Sequence, residues 1–117
     1  MIGNPYPEPV VFRHDRNESQ GEIFRAEPGV LALNRGQAVT LHHEGEQGGV
    51  VFIPYPDIFE EKGYVHPLVK TPEGFRLVLH VREDAPRGKG EFDYAVFSHD
   101  LKRFAVGNSP PRMILEP

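Results

Sequence analysis

The chain is predicted to fold as an all-β, antiparallel sandwich of about seven or eight strands, with residues 1–117 forming a single domain. Two observations predict this. Twelve glycines and twelve prolines break the chain every few positions, so no window sustains the i, i+3, i+4 apolar repeat of an amphipathic helix. Between the breaks lie short segments of period two, the spacing that sends alternate side chains to one face of a strand. The strands predicted in order are Val10–His14, Gly21–Arg25, Val30–Asn34, Ala38–His43, Val50–Pro54, Phe75–Arg82, Phe92–Phe97 and Arg112–Leu115, with Arg103–Val106 as a further edge.

Three of these segments also fix their faces. In Ala38–His43, Val39 and Leu41 point inward; Thr40 and His42 point outward, and His43 falls at the core rim. In Phe75–Arg82 the inward set is Phe75, Leu77, Leu79 and Val81. The outward set is Arg76, Val78, His80 and Arg82. In Phe92–Phe97, the residues Phe92, Tyr94 and Val96 belong to the core, which leaves the Tyr94 hydroxyl in need of a partner. Asn34-Arg35-Gly36-Gln37 reads as a tight hairpin with Gly36 at positive φ, and Ala85–Gly90 as the turn feeding the aromatic strand. Pro54–Thr71 lacks alternation and is predicted to be a long loop, or a short helix at about 55–71, with one or two helical turns over Asp57–Lys62 stopped by Gly63. Its Tyr55, Ile58, Phe59, Tyr64 and Val65 are too apolar for a free linker and should fold back on the sandwich.

Composition excludes several function classes. Thirteen basic and 17 acidic side chains give a formal charge of −4, and no Lys/Arg run forms a phosphate-neutralising stripe, so nucleic acid is not an expected partner. The absence of cysteine removes disulfides, zinc–thiolate sites, iron–sulfur clusters and thiol nucleophiles. No apolar run is long enough to span a bilayer, and Met1–Tyr6 does not begin a signal peptide, so the expectation is a soluble, cytoplasmic protein with no membrane partner. That expectation assumes the chain is not a processed export form. No Gly-x-Ser-x-Gly elbow or phosphate-binding glycine loop is present.

The order of features resembles the cupredoxin family. The likeness is carried by Val11-Phe12, Leu33–Leu41, the Gly49–Ile53 strand, the Ala85-Pro86-x-Gly turn, the aromatic strand Glu91–His99 and the final Met113-Ile114-Leu115. The resemblance implies a Greek-key sandwich and, in the family, copper held by two His, one Cys and an axial Met. Laid on this chain, the family's pattern puts Val96 at the cysteine, Gly48 at the first histidine, His99 at the second and a position near Phe104 at the methionine. Only His99 matches, so the scaffold is expected without blue-copper electron transfer. A partial likeness to the cupins rests on Gly36, His42-His43 with Glu44 or Glu46, and Pro86–Glu91, but His-His replaces His-x-His and Glu91 replaces the last His.

His42-His43-Glu44 is the densest set of donors suited to a transition metal. Neighbouring strand residues point to opposite faces, so His42 and His43 should not share an ion. The set expected if a divalent metal such as Zn, Cu or Ni binds is His43, His99 and Glu44; no cofactor is otherwise predicted. His80 reads as a surface residue, His66 before Pro67 as a loop residue and His14 as part of a charged strand end, whereas His99-Asp100 suits either acid–base orientation or a tight turn. The apolar stretch Tyr55–Val69 and the proline-flanked Pro5–Pro9 read either as contact surfaces or as lids on the open ends of the sandwich. The favoured expectation is a non-enzymatic β-sandwich module that binds a protein partner or self-associates. The alternative is a His/carboxylate metal-binding protein or a cupin-like metalloenzyme.

Overall fold

The computed structural model describes residues 10–17, 21–86, 90–105 and 111–116, with side chains described from 10–13 and from 24 onward within those ranges. Its elements are β1 (Val10–Asn17), β2 (Gly21–Glu27), β3 (Val30–Leu33), β4 (Ala38–His43), β5 (Gly49–Phe52), a 3₁₀ turn at Pro56–Ile58, β6 (Val65–Pro67), β7 (Val69–Thr71), β8 (Gly74–His80), β9 (Glu91–Asp93), β10 (Ala95–Ser98), β11 (Arg103–Phe104) and β12 (Arg112–Leu115). The fold is an all-β sandwich, as the period-two segments require.

One layer is a five-stranded sheet in the order β2-β1-β4-β8-β7. The other consists of β11-β10-β5-β6 and β3-β12-β9. These two pieces join where Tyr94 interrupts one continuous line of chain into β9 and β10. The Tyr94 amide donates to the Pro111 carbonyl at 3.0 Å, and the Ala105 amide to that of Val96 at 2.8 Å, so β11 and β12 flank the same line in turn. Two pairings are parallel, β1 with β4 and β3 with β12; the rest are antiparallel.

Both sides of the sandwich are closed by chain that changes layer. β2 lies in the five-stranded sheet and β3, two residues later, in the opposite layer. β6 and β7 make the same change across the buried Leu68, whose amide donates to the Gly49 carbonyl at 2.9 Å. This corrects the expected Asn34–Gln37 hairpin. The turn is present, with Gln37 N donating to Asn34 O at 3.1 Å and Gly36 at φ 81°, but β3 pairs with β12 and β4 with β1 and β8. The turn therefore joins layers rather than adjacent strands.

The expected faces hold. Val39, Leu41, Leu79, Val81, Phe92, Tyr94 and Val96 are buried, Phe75 and Leu77 pack partly buried against them, and Val78 is exposed. The Phe12 ring meets the Tyr94 ring edge-on at 6.3 Å, linking the two layers. The expected helix over Asp57–Lys62 is instead the shorter Pro56–Ile58 turn. β6 and β7 lie in the stretch expected to be a loop, because three-residue strands are too short to show a period. The β7–β8 turn does carry a readable signal in Thr71-Pro72-Glu73-Gly74: the Thr71 hydroxyl donates to the Gly74 carbonyl at 2.9 Å, and Gly74 sits at φ 127°. Ile58, Phe59 and Leu68 are buried lids, whereas Tyr64, Val65 and Val69 are exposed. Pro5–Pro9, Val106 and the His14 side chain lie outside the described residues, as does much of the Ala85–Gly90 turn.

Candidate functional site

Two inward-facing rows end in polar residues at the same end of the sandwich. On β4 the row Val39, Leu41 ends in His43; on β9–β10 the row Phe92, Tyr94, Val96 ends in Ser98, and both polar residues are buried. His43 Nε2 lies 3.1 Å from Ser98 Oγ and 3.6 Å from Asp100 Oδ2, and its ring stands against Phe24 at 5.0 Å. Asp100 accepts the amides of Glu46 at 2.8 Å and Gln47 at 3.1 Å, and Ser98 Oγ accepts that of Leu101 at 3.2 Å. Burial pushes the His43 imidazole below its ordinary pKa, with Asp100 and the Phe12 carbonyl pulling the other way. For Asp100, partial burial opposes ionisation, but the amides of Glu46, Gln47 and Gly48 and the nearby His43 prevail and hold its carboxyl below its ordinary pKa.

This cluster is a clamp rather than a nucleophilic site. Ser98 has no exposed surface. Ser98 and Asp100 both address Nε2, whereas a catalytic triad places the acid on Nδ1 and the nucleophile on Nε2. Among the described residues, His43 Nδ1 has no hydrogen-bond partner within ordinary limits. The clamp fastens the turn after β4 to the turn after β10. Gly45 permits the closure, since a Cβ there would come 2.5 Å from Asp100 Oδ2. In the sequence His43 and Asp100 stand out separately and Ser98 does not, although the period-two count that buries Tyr94 and Val96 also reaches it.

Of the expected metal set, His43 is buried in the clamp, Glu44 is exposed, and His99 is exposed with its ring against Phe97 at 5.7 Å. Among the described residues, no three His, Asp or Glu side chains gather in a set that could hold a metal ion. Asp100 turns to the 46–48 amides and His43, so it does not orient His99. The type 1 copper arrangement does not fit these residues. Val96, at the thiolate position, is a buried aliphatic; Gly48, at the first imidazole position, is so close to Phe75 that a Cβ would come 2.6 Å from the ring. His42 lies on the outer face, opposite to His43, as expected. His66 Nε2 bonds the Gly63 carbonyl at 2.9 Å. His80, half exposed, meets Glu61 at 2.6 Å; that hydrogen bond raises the imidazole pKa.

The outer faces of the two layers differ. The five-stranded sheet presents His42, Arg76 and His80 around Val78. The opposite layer divides in two. Its β3-β12-β9 half carries Arg112 paired to Glu91 at 2.8 Å and to Asp93 at 3.2 Å. Its other half presents Ala95 and Phe97 from β10, Val50 and Phe52 from β5, Val65 and Pro67 from β6, and Phe104 from β11, with no charge among them. Phe104 is 49% exposed and Phe52 37%; their rings lie 6.1 Å apart, and Phe97 is 5.0 Å from Phe104. An open groove of about 440 Å³ lined by Phe52, Ile53, Pro54, Tyr64, Asp93, Tyr94 and Ala95 continues this strip. In an antiparallel sandwich the outward positions are normally polar, so this strip is the surface feature that hydration does not explain.

No protein-family model matches the chain, and no curated protein sequence matches it. No described helix is long and apolar enough to cross a membrane.

Proposed function

We propose that the chain is a non-enzymatic interaction module, a cupredoxin-like Greek-key sandwich without type 1 copper, which binds protein through the apolar outer strip of β11-β10-β5-β6. The observation that carries this reading is the run of uncharged, partly aromatic outward positions in a chain of net charge −4. Interface cores are depleted in charge and enriched in aromatics. For the scaffold, the support is the feature order noted above, carried on an all-β sandwich. The clamp accounts for His43 without a metal.

Site-specific photo-cross-linking in cells tests the reading. A photoreactive phenylalanine analogue at position 104 should form protein adducts, to this chain or another, that are absent when it replaces Thr40 on the opposite face. Equal labelling at both positions, or none at 104, would overturn the proposal.

A further inference from the structure

We infer that the occupant of this strip is a second copy of the chain, docked face to face about a twofold axis with the strands of the two copies antiparallel. The inference rests on the reading that the strip binds protein, and it adds the identity of the partner. Its basis is the way charge is placed around the strip. Along the outward row of β9 and β10, Asp93 is followed by Ala95, Phe97 and His99. Across from His99, Lys102 is exposed on the turn into β11, next to the Arg103–Ser98 pair. The strip thus has an acidic end at Asp93, a basic end at Lys102 and an uncharged middle.

A twofold axis through the middle sets Lys102 of each copy against Asp93 of the other and forms both pairs at once, as an isologous interface requires. The charges packed near the two ends preserve this polarity. At the acidic end Arg112 is shared between Glu91 and Asp93, so one negative charge remains. At the basic end Asp100 is turned onto the 46–48 amides and His43. The Phe97 and Phe104 rings meet at 69° and the Phe52 and Phe104 rings at 49°. Tilted rings form ridges, and two such surfaces can interdigitate edge to face.

The footprint sets the strength. Four strands spaced about 4.8 Å apart, and seven residues from Asp93 to His99 at about 3.3 Å each, describe a strip of roughly 20 by 20 Å. Its flat area of roughly 400 Å² is below the ~800 Å² per partner of a standard interface. The dimer is therefore weak and concentration-dependent.

Sedimentation equilibrium of the full chain from micromolar to millimolar concentration should show the mass rising from monomer toward dimer. Phe104→Ser, with an unchanged circular dichroism spectrum, should stay monomeric. Lys102→Asp and Asp93→Lys should each weaken association about three- to tenfold, since symmetry removes two exposed pairs together. The double variant should restore it. Asp at 102 suits the left-handed backbone there, at φ 53°. A wild-type chain that is monomeric throughout, or a double variant as weak as the singles, would overturn the second-copy inference. Cross-links from position 104 to other proteins alone would do the same while leaving the interaction-module reading intact; no adducts at all would remove both.

Discussion

His43 of β4 and Ser98 of β10 meet at 3.1 Å across the interior, a polar contact that joins the two layers at one end of the core. Both residues end otherwise apolar inward rows, and Asp100 ties them to the turn that follows β4. The clamp has the composition of a hydrolase site but the burial of a structural one.

Closure of the clamp depends on Gly45. Gly45→Ala sets a Cβ 2.5 Å from Asp100 Oδ2 and 2.9 Å from His43 Nε2, and should cost about 1–3 kcal/mol in urea denaturation. Gly29→Ala, where a Cβ meets nothing within 4 Å, should change stability by less than about 0.5 kcal/mol. Equal small losses at both positions would show that the loop moves aside freely.

Two histidines should drive stability in opposite directions with pH. The His43 pKa is depressed in the fold by burial, so the unfolded chain binds the proton more readily; its contribution is full above the unfolded value of 6.5 and falls as pH drops through that value toward the folded pKa. The His80 pKa is raised by its hydrogen bond to Glu61, so its contribution is present below 6.5 and is lost as pH rises through the folded pKa. Thermal midpoints measured between pH 5 and 8, a window bracketing the unfolded His value, should rise more steeply with pH in His80→Gln than in wild type. In His43→Phe the rise should flatten or reverse. Identical profiles in all three proteins would contradict these assignments.

Tyr94 is buried, its hydroxyl has no hydrogen-bond partner among the described residues, and burial raises its pKa. Tyr94→Phe removes a desolvated polar group with little change of shape and should be neutral or stabilising by about 1 kcal/mol. A loss of more than about 1 kcal/mol on denaturant melts would reveal a partner for the hydroxyl.

Adjacent residues on β8 test the faces. Leu79 is fully buried and Val78 is 37% exposed. Leu79→Ala should cost about 2–5 kcal/mol and Val78→Ala less than about 1. Comparable losses would mean that β8 does not keep this register with β4.

Copper(II) titration followed by visible spectroscopy should give no intense copper–thiolate band, because valine and glycine stand at two of the four family ligand positions and the chain has no cysteine. Such a band would refute the positional match. Stoichiometric metal in protein purified without a tag or chelator, and lost in both His43→Ala and His99→Ala, would favour the metalloprotein alternative.

The sequence by itself determined the all-β class, the bounds of β4 and β12, and which residues of β4, β8 and β9–β10 face the core. Each follows from local rules: glycine and proline punctuation, and side chains alternating along a strand. It also ruled out thiolate chemistry by composition. Only the tertiary structure decided that Asn34–Gln37 crosses between layers, that Val65–Thr71 supplies two short strands, and that His43 meets Ser98 and Asp100, residues more than 50 positions away. The aromatic strip was likewise hidden. Phe52, Phe97 and Phe104 come from three separate strands, and their common outward face exists only once β5, β10 and β11 pair in register. Such contacts between distant segments depend on which strands become neighbours, and period-two patterning carries no information about that choice.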